Sequence, residues 1–466
     1  MPETRPPKVA LITLGCAKNT VDSEVMLGLF QRAGYGFAPE ASNADIVVIN
    51  TCGFIEDAKR ESINTILEAC EMKDGNPAKK VYVTGCLSQR YEQDLKHEIP
   101  EVDGWLGVEN FGEVVTAIEG GTVTPLRGGG SWLTDDLTLR VTSTPKHYAY
   151  LKISEGCDHT CAFCAIPMIR GKLRSRHPIA VLQEAQRLVD NGAKELLLIS
   201  QDTSAYGHDL AGKPTLTWLL NELSTIDALK WIRVHYLYPD EVRPELLRTM
   251  AALPKVCNYI DMPLQHVSPH MLKLMRRGWK HDFRQWVTDL RGIFEDRVAF
   301  RSTFLVGFPG EREVDFDELL RFQADMRIDK LTTFRYSHED GTSSFELPDP
   351  VDPEVAQSRL ETIMGLQADL SREIHEGLVG DTFEVLVEGA TEVDKGLLYG
   401  RTYRDSPEVD GLVYFPGSLE STPVGTFTEV TITEADDYDL IGKRVGDEGD
   451  ARPEALPGRR TMKAMQ

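Results

Sequence analysis

The feature that most narrows what this chain can fold into is an alternation of strand-like and helix-like stretches that breaks once and later gives way to strands alone. Lys8 to Leu14 (KVALITL), Ala44 to Asn50 (ADIVVIN) and Lys80 to Thr84 (KVYVT) are short β-rich runs. Each is followed by a glycine-bearing turn and a helical pattern, as in Asp22 to Ala33 and Glu56 to Met72. That order is βαβ grammar and predicts a parallel sheet. Around Gly120 to Lys146 the pattern stops, and Gly128-Gly129-Gly130 marks a linker or flexible loop.

From Tyr148 a longer alternation begins. Its apolar runs are Tyr150 to Ile153, Glu195 to Ile199, Trp231 to Tyr236, Asn258 to Met262, Ala299 to Val306 and Leu331 to Tyr336. Helical patterns such as Ala180 to Asn191 and Asp315 to Met326 lie between them. Six βα units suit an open, partial TIM-like barrel better than eight-fold closure. A long helix is expected over Pro353 to Leu378. Beyond Gly380 come FEVLVEGA, GLLYGRTY, DGLVYFPG and FTEVTITEA, the pattern of a small antiparallel barrel or sandwich. The expected α/β architecture therefore has three domains, at residues 7–122, 143–376 and 377–446. A tail at 447–466, rich in charge, Pro and Gly, is expected to be disordered.

Eight cysteines in 466 residues are too sparse for a disulfide scaffold and point to metal ligation or burial in a reducing compartment. No apolar run approaches the roughly 18 residues of a membrane span. The N-terminus shows no apolar signal core, so a cytoplasmic protein is expected. Cys157, Cys161 and Cys164 form a CxxxCxxC run with an aromatic residue, Phe163, before the third cysteine. Three thiolates leave one iron of a 4Fe–4S cluster without a protein ligand, whereas electron-carrying clusters usually close all four positions. Zinc sites favour paired CxxC or Cys/His spacings.

A second set is dispersed. Cys16, Cys52 and Cys86 lie 36 and 34 residues apart, in the contexts LITLGC, VINTCG and YVTGC. Each sits at or just past the end of a predicted strand, and in an open parallel sheet those ends share one edge where ligands collect. Three thiolates would converge there. Buried small residues at tight turns are the alternative, since Cys is often buried. Cys70, mid-helix, and Cys257, before a barrel strand, are expected to serve packing.

The CxxxCxxC run resembles the signature of the radical S-adenosylmethionine (SAM) superfamily, whose open iron chelates the amino and carboxylate groups of SAM. Three N-terminal cysteines on βα turns, then CxxxCxxC, then a small β domain resemble the methylthiotransferase family within it, from about Lys8 to Val445. Gly15-Cys16-Ala17-Lys18-Asn19-Thr20-Val21-Asp22-Ser23-Glu24 is similar to the GCPKNxVDSE opening of the branch acting on a ribosomal protein. The tRNA branches open with patterns such as GCQMNxxDS. Asn50 to Ile55, Val83 to Leu87, Ile199 to Gly207, Asp261 to His266 and Arg301 to Glu311 also match, while Ala17 departs from the usual Pro.

The resemblance implies a flavodoxin-like N-terminal domain, a radical SAM partial barrel and a TRAM β-barrel. It implies two 4Fe–4S clusters, one on Cys157, Cys161 and Cys164 for SAM cleavage and one on Cys16, Cys52 and Cys86 for sulfur delivery. The 5′-deoxyadenosyl radical would take hydrogen from the β-carbon of an aspartate in the twelfth protein of the small ribosomal subunit, with methyl coming from a second SAM. An external electron donor and a sulfur source are needed. Phe163, Gln201, Asp202, Gly307, Gly310 and Glu311 are candidate SAM contacts at strand ends or in the turn Gly307 to Glu311. His235 and His266, near strand ends too, are expected to be structural or lining residues rather than catalytic bases. Lys18, Asn19 and Asp22 either line the first cluster or cap the following helix.

Charge bears on the substrate independently. The chain carries a net charge of -22, unlike a generic nucleic-acid binder. Between Gly377 and Val445, 14 Asp and Glu stand against 5 Lys and Arg. RNA binding draws on Lys and Arg contacts to phosphate, so this segment should repel tRNA and attract a basic protein. A tRNA-modifying enzyme and a non-enzymatic iron–sulfur redox protein are the competing readings. Nothing in the sequence demands more than a monomer.

Overall fold

A computed structural model describes residues 5–126, 130, 132–135, 138–278 and 282–447. Apart from Asp447, the expected disordered tail lies outside the described residues, as do Gly128 and Gly129 of the expected linker.

The N-terminal sheet is built from β1 (Lys8–Thr13), β2 (Gly36–Phe37), β3 (Ile46–Thr51), β4 (Lys80–Gly85) and β5 (Gly104–Trp105). Its pairings are all parallel, in the order β2-β1-β3-β4-β5. That order is the flavodoxin-like one, with its switch point between β1 and β3. Every residue of the central β3 is buried, as expected of a strand covered on both faces. Val47 and Ile49 pack into one core and Ile46 and Val48 into the opposite one. The two-residue strands β2 and β5 escape sequence reading because so short a run has no periodicity.

The second domain contains β6 (Tyr148–Lys152), a short ribbon of β7 (Ser154–Glu155) and β8 (Arg174–Ser175), then β9 (Glu195–Ile199), β10 (Trp231–Val234), β11 (Tyr259–Asp261), β12 (Ala299–Val306) and β13 (Lys330–Arg335). Six of these form a parallel wall in the order β6-β9-β10 and β11-β12-β13. The halves are stitched by an Ile232–Val256 bridge and by Leu237 N–H donating to Asp261 O at 2.9 Å. Strand alternation divides the wall. Ala149, Leu151, Leu196, Leu198, Ile232, Val234, Ile260, Phe300 and Phe304 join the outer helices in the largest core. Tyr148, Tyr150, Leu197 and Ile199 form a separate cluster on the other face. β6 and β13 are the end strands, so the barrel is partial.

The helix Pro353–Glu376 leads into a closed barrel of β14 (Thr382–Ala390), β15 (Leu397–Arg401), β16 (Val413–Pro416), β17 (Phe427–Ala435) and β18 (Leu440–Arg444). The β16–β18 pair is parallel and the others antiparallel. The loop from Thr402 to Gly411 runs beneath the partial barrel and ties its strands to the C-terminal domain. Ser406 Oγ meets His235 Nε2 at 3.0 Å, and Tyr259 donates to Asp410 at 2.7 Å. Tyr148 and Tyr150 both donate to Glu408, at 2.8 and 3.0 Å. Arg401 bridges Glu195 at 2.6 Å and Glu388 at 2.8 Å. Among the described residues no helix is long and apolar enough to cross a membrane.

Candidate metal and cofactor centre

The N-terminal cysteines follow the three central strands. Cys16 caps the helix Ala17–Arg32 after β1, Cys52 lies in the turn after β3, and Cys86 opens the helix Cys86–Glu98 after β4. They occupy the carboxyl edge at the switch point, where ligands bind in such sheets. The turns are closely packed. A side chain at Gly15 would lie 3.1 Å from Cys52 Sγ, and one at Gly53 would lie 2.7 Å from the Leu87 backbone. Asn19 holds the edge by donating to Leu14 O at 2.8 Å and Thr51 O at 3.0 Å. Asn19 and Asp22 therefore do not cap the helix with their side chains. Burial, reinforced by Cys86 and Cys16, pushes the Cys52 thiol up to about 12, and burial raises Cys86 as well.

The second triad occupies the loop beyond the β7 strand. Cys157 N–H donates to Gly171 O at 3.1 Å and Cys164 N–H to Cys161 O at 3.1 Å. Arg277 points a guanidinium N–H at Cys161 Sγ from 3.5 Å and stacks over Tyr238. On Tyr238 also lies the His159 ring, 3.5 Å away and 9° from parallel, with its Nε2 2.6 Å from Asp202. Burial pushes Cys157 and Cys164 up to about 12.

A buried ionic cluster joins the two triads. Arg170 closes the short helix that follows Cys164 and makes two 3.0 Å bonds to Glu155. Its other end reaches across to the N-terminal domain, to Asn19 at 2.7 Å and Asp22 at 3.0 Å. Lys152 pairs with both Asp22 and Glu155. Burial would raise the Glu155 carboxyl, but Arg170 and then Lys152 hold it well below the usual carboxylate range. Sequence reading missed Arg170, Lys152 and Glu155. Their partners lie up to 151 residues away, and no local spacing announces such a pairing.

The other candidate residues are placed as follows. Phe163 meets Phe308 edge-on at 6.5 Å. Gln201 donates to Glu155 at 3.3 Å, while its buried Oε1 has no protein partner. Asp202 Oδ1 accepts from Ser204 N–H, Ser204 Oγ–H and Ala205 N–H, and Oδ2 meets His159. Glu311 accepts from Gly307 N–H at 2.6 Å and from Arg359 at 2.8 Å, bracing its own turn. Gly307 has φ 75°, and a side chain there would meet Ala356 Cβ at 2.5 Å. Gly310 has φ 84° and borders a cleft of about 500 Å³ with His270, Leu274 and Asp349. His235 is saturated by Asp261 and Ser406, and His266 Nδ1 accepts from Val267 and Ser268 N–H. Cys70 and Cys257 pack into apolar clusters.

Among the described residues no three His, Cys, Asp or Glu side chains converge on a point suited to one metal ion. An iron–sulfur cube is a different demand, because each thiolate binds a separate iron. The donor chemistry fits such a cube. All eight cysteines are free of disulfides, and the Arg170 and Arg277 guanidinium groups lie beside Cys86 and Cys161, where thiolate charge would be placed.

The model of the family described as "Uncharacterized protein family UPF0004" matches residues 8–107, that of the "Radical SAM superfamily" residues 151–322, and that of the "TRAM domain" residues 379–445. The chain is 44% identical over 450 residues to the "Ribosomal protein uS12 methylthiotransferase RimO" of Myxococcus xanthus, covering 96% of this chain and 93% of that protein. It is 43% identical to the protein of the same name from Pelotomaculum thermopropionicum, covering 94% and 99%. Among solved structures, the radical SAM methyltransferase TsrM of Kitasatospora setae superposes with a TM-score of 0.52 at 14% identity, covering 91% of this chain and 82% of that one, a likeness of fold. With its radical SAM domain, TRAM domain and end-to-end identity to these relatives, the chain belongs to the RimO family of methylthiotransferases.

Proposed function

We propose that this enzyme methylthiolates the β-carbon of an aspartate in the small-subunit ribosomal protein uS12, using two 4Fe–4S clusters and two molecules of SAM. The observation that carries the reading is one cysteine triad at the carboxyl edge of the N-terminal parallel sheet and the other in the loop after β7, with Arg170 bonded to both sides. Cys157, Cys161 and Cys164 would hold one cluster, and Cys16, Cys52 and Cys86 the other. When bound, the clusters and SAM supply the radical and sulfur chemistry that no side chain here provides.

The chain's own residues bind and orient. Gln201 Oε1, buried without a partner, is an acceptor available to SAM. Phe163, Gly307 and Gly310 shape the neighbouring surface. Asp202 and Glu311 act through others, Asp202 by positioning His159 beside Tyr238 and Glu311 by bracing the turn.

The C-terminal domain supports a basic protein substrate over tRNA. Arg401 and Arg404 are buried in ion pairs, whereas Asp381, Glu384, Glu392, Asp394, Glu420, Glu429 and Glu434 are exposed. Glu384 and Glu429 stand directly opposite each other across β14 and β17, a like-charged pair that a cationic partner relieves. The setting is the cytoplasm, with an external reductant and sulfur source and a monomeric enzyme.

The test is incubation of reconstituted protein, SAM and reductant with uS12 and, separately, with bulk tRNA, followed by mass spectrometry. A methylthio increment on an aspartate peptide is expected; one on nucleosides alone would overturn the reading. Cys16→Ala and Cys157→Ala should each lose about half of the bound iron and sulfide if the clusters are separate.

A further inference from the structure

Lys18 is a lysine whose side chain the fold largely buries and whose ammonium has no contacting carboxylate. The residue is 7% exposed, and its Nζ rests 3.0 Å from the centroid of the Tyr236 ring. The other two buried lysines among the described residues are saturated. Lys152 pairs with Asp22 and Glu155, and Lys79 donates to the carbonyls of Ala41, Ser42 and Ala44. After Cys16, the negative groups that act on Lys18 from beyond contact are Asp261 and Glu155, and both carboxylates are already engaged. Asp261 is taken by His235 at 2.8 Å and Arg301 at 3.1 Å, and Glu155 by Arg170 and Lys152.

Burying an ammonium without a paired charge is among the most costly arrangements in a protein. An aromatic face offsets part of that cost. Tyr236 is held in place for the role. Its φ is 59°, a strained value for a non-glycine residue, and its carbonyl accepts from Thr203 N–H at 3.0 Å. The Lys18–Tyr236 contact spans the gap between the first turn of the Ala17–Arg32 helix and the carboxyl end of β10. Cys16, two residues away, is exposed at the same edge.

Resting on the methylthiotransferase reading above, we infer that Lys18 is a specificity-determining residue that receives the side-chain carboxylate of the substrate aspartate. An ion pair there holds the adjacent β-carbon between the two cysteine triads and rejects a neutral side chain of the same shape. The other candidate for the charge on Lys18 is the thiolate-bound cluster beside it.

A double-mutant cycle separates the two. Two peptides spanning the modified loop of uS12, identical except for Asp or Asn at the target position, are titrated against the cluster-loaded enzyme. Wild type should bind the Asp peptide roughly 30-fold or more tightly than the Asn peptide. Lys18→Met should bring that ratio close to unity by weakening the Asp peptide alone, and Lys18→Arg should restore part of it. Thermal stability of Lys18→Met should be equal to or above wild type, because an unpaired buried charge is removed. Lys18→Gln provides a second neutral variant should Lys18→Met fold poorly. An unchanged Asp/Asn ratio overturns the inference, and a shifted N-terminal cluster potential alongside it assigns Lys18 to the cluster. Turnover of the Asp peptide by wild type is followed in parallel. Turnover with an unchanged ratio sinks this inference alone, whereas absence of turnover sinks the parent reading and the inference with it.

Discussion

Arg170 shows how a single residue ties the two cysteine-bearing segments together. One face of its guanidinium holds Glu155, behind the CxxxCxxC loop, and the other holds Asn19 and Asp22, behind Cys16. Removing one partner of a buried ion pair strands the rest, so Arg170→Met should destabilise the protein by about 3 kcal/mol in a denaturant melt. Gly85 is equally constrained, with φ 101° and the Asn50 side chain and Thr51 backbone 2.5 Å from where a Cβ would lie. Gly85→Ala should displace Cys86 and lower iron content towards that of Cys16→Ala, leaving the iron on Cys157, Cys161 and Cys164. Iron analysis of the Gly85→Ala and Gly85→Ala/Cys157→Ala proteins checks this, the double variant being expected to hold almost none. At this scale the cysteines were legible in the sequence and their neighbours were not. CxxxCxxC is a local spacing, and the dispersed triad is announced by three matching strand-end contexts. Lys152, Arg170, Tyr236 and Arg277 gain their roles from partners on other elements, which periodicity cannot pair.

Elements were legible where they were long and periodic. The strands at 195–199 and 299–306 match residue for residue, and the helix expected to begin at Asp22 starts five residues earlier, at Ala17. The early residues of that helix are polar but buried, so an apolar pattern does not reveal them. β18 was missed because LIGKR is short and follows a charged turn. The β15–β16 loop and the end of the Pro353–Glu376 helix both join the second and third domains. Burial and then Lys330 hold His375 near 4, and its Nδ1–H donates to Asp436 O at 3.0 Å. Glu195, despite its burial, is held near 2 by Arg401 and Arg233, and Asp405 near 2 by Lys330. All three values lie below those of the unfolded chain, so their stabilisation is present at neutral pH and is lost on acidification. His375 acts first, between about pH 6.5 and 4, and the carboxylates follow below about pH 4.5. The melting temperature should therefore fall from pH 7 to 4, with up to about 3 kcal/mol from His375. His375→Gln should flatten that part of the profile.

At the scale of the whole molecule, buried charges of both signs pair with one another and the C-terminal surface stays acidic. The C-terminal domain buries Arg401 and Arg404 together with Asp405 and Asp410, so its surface keeps the acidic balance of its composition. Binding of a basic ribosomal protein should weaken as salt rises, and replacing Glu384 and Glu429 by Gln should slow association several-fold while changing dissociation less. Stopped-flow measurements at two ionic strengths report both. Part of the sequence-level acidity serves another purpose, since Glu388, Asp405 and Asp410 neutralise cations or bind tyrosine in the seam. The Thr402–Gly411 loop makes the third domain a stopper driven into the base of the barrel. A stopper cannot be exchanged by matching only its outer surface. Chimeras that import residues 379–445 from a relative should be soluble only when the receiving positions Glu195, Arg233, His235 and Tyr259 travel with it. Substrate preference in this architecture is therefore inherited in blocks, each containing a piece of the floor on which it stands.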